Sequence, residues 1–339
     1  MTRVSAVVLA YLDEPWLEQC VRSLLASAGV DVDVVLVDNG CTAPGVVDRL
    51  EAELTALTVL RPGTNLGYAG GCNAGADAAT GDVVAFVNGD ATVEVDALAA
   101  LADALADDAV GLVTGSVRLA ADPARINAAG NPLNILGVVW AGHFDEPAAD
   151  HRQRRPTAVV SGAAFACRRA TWQRLGGFDP TYFAYHEDTD LSVRCWQQGL
   201  TVVYVPEAVV VHRYEFSRNT RKLYLVERNR LLNLLTLWQR RTLLVLLPVL
   251  AGFEVAMLAL ATRQGWLGAK VDGYRWLWRH RREVVARRQR VQSVRTVPDR
   301  DLTWLLTPRI TAANYALPPG AAAGNAALAA YWGGVRRLI

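Results

Sequence analysis

Side chains that can bind metal ions or phosphates follow the apolar runs of this 339-residue chain. They are Asp38, Asn88, Asp90 and His212. An apolar run that ends at a polar corner is typical of a buried parallel strand, and the carboxyl edge of an open α/β sheet is where ligands bind. A carboxylate there suits a hard divalent cation that carries substrate phosphates. Taken alone, Asn88-Gly89-Asp90 favours an ordinary strand-ending turn.

Three more carboxylates, Glu187, Asp188 and Asp190, are crowded at the start of a predicted helix. Crowding of like charges raises the pKa of a carboxyl group, which suits a general base. The alternative is helix capping, because acidic side chains near a helix start interact favourably with its dipole. Asp190 is the first candidate for that capping role.

The stretch 65–75 is rich in glycine and is predicted to open a helix of small residues. Glycines allow a backbone to approach a ligand closely, and a helix amino terminus attracts anions. No lysine follows, so this is not the phosphate loop of nucleotide hydrolases. Close packing of the helix is the equally weighted alternative.

Strands and helices alternate before residue 110, which predicts an α/β fold with a doubly wound, mostly parallel sheet. The predicted strands are 4–11, 33–40, 58–60, 83–88, 110–117, two within 157–167, 202–205 and 209–212. The predicted helices are 16–28, 44–57, 67–79, 96–106, 170–175 and one that ends at Gly199. Residues 122–156 lack periodicity, which predicts a binding loop or a disordered insertion.

Composition indicates one large domain plus an appendage in a reducing compartment. The five cysteines form no Cys-x-x-Cys pair and read as reduced, mostly buried thiols. The first apolar stretch is short and meets acidic residues, so we expect no signal peptide and a cytoplasmic catalytic part. The net charge is only +2, but an arginine-rich block late in the chain indicates an anionic partner, either nucleic acid or the phosphate surface of a membrane.

The end of the chain differs in pattern. An amphipathic helix is predicted over 223–237, and an apolar run over 242–262 includes Pro248 and Glu254. Its length is that of a membrane span, for which about 20 residues are needed, but the proline and glutamate favour an interfacial or re-entrant element, with a core helix hairpin as the alternative. The basic block 275–295 predicts an amphipathic helix at a lipid surface, with a solvated charged face as the alternative.

Ordered motifs along residues 3–215 carry a family resemblance. They are Val37-Asp38-Asn39-Gly40, Asn65-x-Gly67-x-x-Gly70 with Asn73, Phe86-Val87-Asn88-Gly89-Asp90, Gly176-Gly177-Phe178-Asp179, Glu187-Asp188-x-Asp190-Leu191-x-x-Arg194, and Pro206 through His212. Each motif is weakly specific, whereas their order and spacing together are strongly specific. The chain resembles the family 2 inverting glycosyltransferases, which have a GT-A fold. Its last third is similar, less specifically, to the membrane-proximal end of the bacterial rhamnosyltransferase-like subgroup.

The resemblance implies a role for each matching residue. It assigns nucleotide-sugar binding to Ala10, Tyr11, Asp38, Asn65, Gly67, Gly70, Asn73, Asn88 and Asp90. It assigns Mg2+ or Mn2+ to Asp90 and His212, with the ion bridging the donor diphosphate. It makes Asp188 the base that accepts the proton of the acceptor hydroxyl, with Glu187 as its neighbour and orienter. Because Asn88 stands where the family's Asp-x-Asp motif has its first carboxylate, metal binding depends more on Asp90 and His212.

The expected reaction is inverting transfer of a sugar from a nucleotide sugar to an acceptor hydroxyl on a polyprenyl-diphosphate-linked glycan. L-rhamnose from a dTDP donor is the candidate sugar. Because Cys41-Thr42-Ala43-Pro44 depart from the residues that usually follow the position of Asp38 in the family, the donor nucleotide stays open. The alternatives are the same chemistry on a soluble glycan or natural product, and a non-catalytic GT-A-like scaffold.

Residues 1–220 are predicted to form the catalytic domain and residues 221–339 a helical membrane-proximal region. We expect a peripheral or re-entrant protein at the cytoplasmic face of the bacterial cell membrane. Its expected partners are the nucleotide-sugar donor, a lipid-linked or other glycan acceptor and the membrane surface, but not nucleic acid. A homodimer is one oligomeric state that the sequence leaves open.

Overall fold

The computed structural model describes residues 1–43, 45–213, 221–314, 317 and 320–339. Its strands are β1 (Arg3–Leu12), β2 (Asp31–Cys41), β3 (Leu57–Leu60), β4 (Val83–Asn88), β5 (Ala91–Val93), β6 (Val110–Leu119), β7 (Asp122–Ala128), β8 (Leu133–Asn134), β9 (Arg155–Pro156), β10 (Ala164–Arg168), β11 (Thr201–His212) and β12 (Leu306–Thr307). Its α-helices are α1 (Leu17–Leu25), α2 (Val46–Glu53), α3 (Gly67–Ala78), α4 (Ala97–Ala104), α5 (Arg169–Leu175), α6 (Glu187–Gln197), α7 (Lys222–Leu237), α8 (Arg240–Gln264), α9 (Leu267–Arg279), α10 (Arg281–Ser293), α11 (Asp299–Leu302) and α12 (Ala321–Val335). The predicted helix start at Pro44 and the predicted domain boundary at Thr220 lie outside the described residues.

One sheet runs through the first two thirds of the chain, in the order β3-β2-β1-β4-β10-β6-β11-β5. β1 pairs in parallel with β2 and β4, and β2 pairs in parallel with β3. β10 lies antiparallel between β4 and β6, and β6 and β11 are parallel to each other. The predicted α/β fold is confirmed, with a mixed sheet whose parallel part brings the carboxyl ends of β1, β2 and β4 together.

Helices cover both faces of this sheet, which explains why its central strands are continuous apolar runs. α1 and α2 bury Leu17 and Leu50 in the cluster on one face, and α5 buries Trp172 in the cluster on the other face. α3 lies so close to β1 that a Cβ on Gly75 would be 2.3 Å from Cγ1 of Val7. Close packing is therefore one reason for the small residues of α3, independent of any ligand.

The segment 122–156, predicted to be irregular, contains β7, β8, β9 and a short 3-10 helix at Ala148–Asp150. β7 pairs antiparallel with β6, and β9 pairs antiparallel with β11. The alternative of a disordered insertion is wrong, and the binding loop stays a prediction. The sequence of β7 lacks a regular alternation because only its last three residues are buried. β7 therefore extends the sheet beside the end of β6, and β9 extends it near the beginning of β11, whereas β8 belongs to a separate two-stranded sheet.

Two predictions about strand boundaries are also wrong. Of the two strands predicted in 157–167, the structure has only β10, and Val159 makes an isolated bridge to Asn131. The two strands predicted in 202–212 are one strand, β11, whose register on β6 shifts between Val205 and Val209. Pro206 lies in that shift, as expected for a residue that cannot donate to the ladder.

The C-terminal helices pack against the sheet domain and share its core. β12 pairs with β8, and Leu302 and Leu305 join the apolar cluster that covers one face of the sheet. α7 packs against α6, α9 and α10. The division at residue 220 stays a prediction, but the region after it contributes to the same hydrophobic core.

The basic block does not form the single lipid-facing helix that its sequence predicts. It is divided between α9 and α10, and some of its arginines point inward. Arg287 is 4% exposed, and its guanidinium contacts Asp179 at 2.8 Å and also Asp190. Arg295 pairs with the buried Asp299. The prediction is wrong for these side chains because their anionic partners are carboxylates of the same chain.

Glu254, the acid within the apolar run, also faces the protein. Its carboxylate pairs with Arg230 and, at 2.7 Å, with Lys270, and both cations are buried. Pro248 is accommodated inside a continuous α8 of 25 residues. One face of this helix is thus tied by charge to the folded domain.

We expect Arg287→Met to lower the free energy of unfolding by about 3 kcal/mol, because removal of one partner leaves a buried carboxylate incompletely paired. Urea unfolding followed by tryptophan fluorescence measures this. Arg290→Met removes an exposed arginine from the same helix and should change the stability by less than about 0.5 kcal/mol. Equal stability of the two variants would contradict the structural role of Arg287.

Candidate active site

The carboxyl ends of β1 and β2 place three of the predicted nucleotide-binding residues together. Ala10 pairs with Asp38 in the parallel register. Oδ1 of Asp38 accepts hydrogen bonds from the backbone N–H of Cys41 at 2.9 Å and of Gly40 at 3.3 Å. Tyr11 is 42% exposed and lies beside Gly40. This edge presents a fixed carboxylate and an accessible aromatic ring, which suits a ribose hydroxyl and a base, although both contacts stay predictions.

Asn39 is a structural contributor that the sequence reasoning does not identify. It is buried, and its Oδ1 accepts a hydrogen bond from the backbone N–H of Leu66 at 2.8 Å. Its Nδ2 lies 3.2 Å from Oδ1 of Asn65 and 3.2 Å from the carbonyl oxygen of Gly67. Asn39 therefore holds the start of α3 against the end of β2. Its position between an aspartate and a glycine at a strand end is the signal that could have indicated this.

The predicted glycine-rich loop is mostly helix, because α3 already begins at Gly67. Gly67 has φ +71°, and a Cβ there would be 2.4 Å from the carbonyl oxygen of Phe183. Only glycine satisfies both conditions. Gly70 follows in the first turn of this helix, and the side chain of Asn73 bonds the backbone of Phe178 at 2.8 and 3.0 Å. Asn73 thus links two parts of the protein, and its contact with the donor stays a prediction.

The predicted metal ligands meet at the end of β4. β5 pairs antiparallel with the end of β11, opposing Ala91 to His212. Oδ1 of Asp90 lies 3.2 Å from Nε2 of His212, and both side chains are largely buried. Nδ1 of His212 is 2.9 Å from Oδ1 of Asn127 on β7. The sequence reasoning misses Asn127 because it lies in the segment predicted to be irregular.

Asp90 and His212 fit a divalent cation by the chemistry of their donor atoms. When His212 donates its Nδ1–H to Asn127, its Nε2 lone pair faces the carboxylate. Two electron-pair donors separated by 3.2 Å attract a cation that both can bind. An imidazole ligand favours a transition-metal ion such as Mn2+ over Mg2+, which prefers oxygen ligands.

Asp188 is connected to the end of β4 through the turn at Gly162. Its Oδ1 accepts a hydrogen bond from the backbone N–H of Thr189 at 2.7 Å, and its Oδ2 is 3.5 Å from the position of a Cβ on Gly162. The next residue, Ala163, accepts a hydrogen bond from the backbone N–H of Asn88 at 3.0 Å. The turn around Gly162 therefore connects the acid pair to the end of β4.

The environments of the two acids raise both of their pKa values. Burial raises the pKa of the Asp188 carboxyl to about 6. Burial, and then the charge of Asp188, raise the pKa of the Glu187 carboxyl well above its usual range. Glu187 is 5% exposed, and its Oε2 has no hydrogen-bond partner among the described residues. Burial therefore disfavours the ionised form of Glu187, whereas a pKa of about 6 leaves Asp188 mostly ionised at neutral pH.

Asp190 does not cap helix α6, contrary to the first expectation for this residue. It is fully buried, and its Oδ2 accepts from Nε of Arg194 at 2.9 Å. Its Oδ1 accepts from Arg287 of α10. The prediction is wrong because the side chain points into the protein, where two arginines compensate its charge.

Another group of potential metal ligands, His143, Glu146 and His151, lies on the segment that follows β8. Oε2 of Glu146 is 3.1 Å from Nδ1 of His143 and 2.8 Å from Nε2 of His151. His143 and Glu146 are exposed. Hydrogen bonds within this group already account for its arrangement.

The mixed α/β sheet, with polar side chains after β2, β4 and β11, is the arrangement expected of a glycosyltransferase with a GT-A fold. The family described as glycosyltransferase like family 2 matches residues 2–232 of this chain. The chain belongs to that family, and the resemblance found in the motifs is confirmed. The matched range extends into helix α7, beyond the sheet.

Two relatives from Mycobacterium tuberculosis share substantial sequence identity with this chain. The N-acetylglucosaminyl-diphospho-decaprenol L-rhamnosyltransferase is 32% identical over 247 residues, which cover 64% of this chain and 78% of that protein. The pre-mycofactocin glycosyltransferase is 30% identical over 183 residues, which cover 53% of this chain and 37% of that protein. The first relative confirms similarity to the rhamnosyltransferase-like members of the family.

Solved structures confirm the fold. GalNAc-T7 with UDP, GalNAc and Mn2+ superposes with a TM-score of 0.59 at 16% identity, over 71% of this chain and 49% of that chain. The mannosyltransferase PcManGT from Pyrobaculum calidifontis, in complex with GDP-Man and Mn2+, superposes with a TM-score of 0.51 at 20% identity, over 86% of each chain. At these identities the likeness concerns the fold alone.

We expect Asn127→Ala to weaken Mn2+ binding by about 10- to 100-fold, because Asn127 orients the imidazole of His212, a predicted metal ligand. Calorimetric titration of Mn2+ in the presence of a nucleoside diphosphate measures this affinity. Asn131→Ala, which removes a neighbouring amide that bonds Val160 and Gly142, serves as the matched control. Unchanged Mn2+ affinity in the Asn127 variant would contradict the assignment of His212 to the metal.

Proposed function

We propose that the protein is an inverting glycosyltransferase that moves a sugar from a nucleotide sugar to a hydroxyl of a polyprenyl-diphosphate-linked glycan. The proposal rests on the connection of Asp188, through the turn at Gly162 and Ala163, to the end of β4, after which Asp90 meets His212. The name of the M. tuberculosis relative, a decaprenol-linked L-rhamnosyltransferase, supports L-rhamnose as the sugar and a lipid-linked acceptor. A dTDP donor is the corresponding candidate.

Asp188 is the proposed general base. It accepts the proton of the acceptor hydroxyl while that oxygen forms a bond to the anomeric carbon and the bond from this carbon to the diphosphate oxygen breaks. The nucleoside diphosphate leaves with the electron pair, and attack from the opposite side inverts the anomeric configuration. A pKa of about 6 keeps Asp188 ionised at neutral pH while making it a stronger base than an ordinary aspartate.

Asp90 and His212 are the proposed ligands of Mn2+ or Mg2+, which when bound neutralises charge on the leaving diphosphate. Burial of Glu187 favours its protonated form, which supports the same charge balance. A second ionised carboxylate next to Asp188 would repel the anionic donor and raise the pKa of the base further.

Asp188→Asn should lower kcat by at least about 100-fold while the donor still binds, because the amide cannot accept the proton. Transfer of radiolabelled sugar to a lipid-linked acceptor measures kcat, and a thermal shift with nucleoside diphosphate and Mn2+ verifies binding. In the wild type, kcat/KM should rise with pH through about 6, since the carboxyl group must lose its proton before it can act. Full activity of the Asp188 variant would refute its role.

The outer face of α8 is the proposed membrane contact. Only 6% of the most apolar 18-residue stretch of α8 is buried in the protein. By length and composition alone, α8 is long and apolar enough to span a bilayer. Exposed small and apolar residues recur every three or four positions along this face: Leu244, Leu247, Pro248, Ala251, Gly252, Val255, Ala256 and Ala259. Because the opposite face is tied to the protein through Glu254, an interfacial position is favoured over a span.

Exposed arginines flank this apolar face. Arg240 and Arg241 lie at the beginning of α8, and Arg263 lies in its last turn. Cations at both ends of an apolar face complement the phosphates of anionic lipids. We therefore propose that the protein binds the cytoplasmic face of the bacterial cell membrane, where a lipid-linked acceptor is available.

Replacing Leu247 and Val255 together by glutamate should weaken binding to vesicles of phosphatidylcholine and phosphatidylglycerol by at least about tenfold, because both side chains are more than half exposed on the proposed lipid face. Co-sedimentation with the vesicles measures this. Val95→Glu changes an exposed valine far along the chain from α8 and should bind like the wild type. Equal binding of all three proteins would rule out α8 as the lipid contact.

A further inference from the structure

The turn before the acid pair has an unusual backbone. Phe183, Tyr185 and His186 have φ angles of 62°, 70° and 67°. This left-handed region is unfavourable for residues that carry a Cβ, so the surrounding structure must hold the turn in place. The turn leads directly into Glu187 and Asp188, and its conformation sets where both carboxyl groups lie.

Helix α7 supplies the donors that hold this turn. Asn229 is fully buried, and its Nδ2 lies 3.0 Å from the carbonyl oxygen of Tyr182, 2.9 Å from that of Ala184 and 2.6 Å from that of Tyr185. Its Oδ1 accepts from Nε of Arg228 at 2.8 Å. Both ends of the amide therefore make hydrogen bonds, and its Nδ2 contacts three carbonyl oxygens of the turn.

Neighbouring contacts extend this attachment. Nδ2 of Asn233, one turn further along α7, lies 3.3 Å from the carbonyl oxygen of His186. On the opposite side, the carbonyl oxygen of Phe183 accepts from the backbone N–H of Ala69 at 3.1 Å. The turn is thus held between α7 and the amino-terminal end of α3, the helix that carries the predicted sugar-binding glycines.

We propose that Asn229 is a positioning residue for the transfer reaction, holding the turn 182–186 so that Asp188 faces the acceptor hydroxyl. This role depends on the proposed function, since Asp188 is a base only in that reaction. Misplacement of a reacting group by about 1 Å can lower a rate by about 100-fold. The contribution of Asn229 should therefore appear in kcat and not in binding of the donor.

A double-mutant cycle tests whether Asn229 acts through Asp188. Asn229→Ala should lower kcat by about 100-fold and leave the donor KM within about threefold of the wild-type value. In an Asp188→Asn background the same substitution should cause no further loss, because the residue it positions is already disabled. Losses that multiply in the double variant would overturn the inference.

Two further variants separate positioning from general stability. Asn229→Asp keeps the size of the side chain and the contact with Arg228 but removes the donors, so it should lose kcat like the alanine variant. Asn134→Ala removes another buried asparagine, whose Nδ2 bonds the carbonyl oxygen of Thr307 at 2.8 Å, and should leave kcat within about threefold of the wild type. Full activity of Asn229→Asp, or an equal loss in Asn134→Ala, would contradict a specific role for Asn229.

Hydrogen exchange distinguishes failure of this inference from failure of the proposed function. In Asn229→Ala, the amides of residues 183–189 should exchange at least about tenfold faster than in the wild type and in Asn134→Ala. Unchanged exchange would overturn the inference whatever reaction the protein catalyses. Faster exchange in a protein whose wild type transfers no sugar would refute the proposed function and still support the attachment of the turn to Asn229.

Discussion

The buried carboxylate of Asp190 is the constraint on which the position of the acid pair depends. A carboxylate without access to water needs cations and hydrogen-bond donors around it. Arg194 supplies them from the same helix, and Arg287 supplies them from α10. Helix α6 cannot slide or rotate without leaving Asp190 unpaired, and Asp188 lies only two residues earlier. The C-terminal region is therefore part of the scaffold of the site.

Buried amides fix the other parts of the site. Asn39 joins the end of β2 to the start of α3, Asn127 orients His212, and Asn229 holds the turn before Asp188. An uncharged amide costs less to bury than a charged group and can bond a backbone from either end. The protein thus uses amides to position the groups around the predicted site.

The parallel part of the sheet and its polar corners could be predicted from the sequence because they follow from local patterns. An apolar run that ends at a polar residue gives a strand end, and parallel strands bring such ends together. The inward direction of Arg287 could not be predicted, because its partner Asp190 lies 97 residues away. The role of Asn127 could not be predicted either, because its strand, β7, is recognised only by its pairing with β6 and not by its own sequence pattern.

Helix α7 connects the proposed membrane contact to the acid pair. Arg230 pairs with Glu254 of α8, and the preceding residue, Asn229, bonds the turn before Asp188. A buried ion pair adds little net stability compared with apolar packing, so its value here is the geometry that it enforces. Two attachments at adjacent positions of one helix set the distance from the apolar face of α8 to the acid pair. If α8 lies in the lipid interface and Asp188 is the base, as proposed, this distance sets how far above the bilayer the acceptor hydroxyl lies.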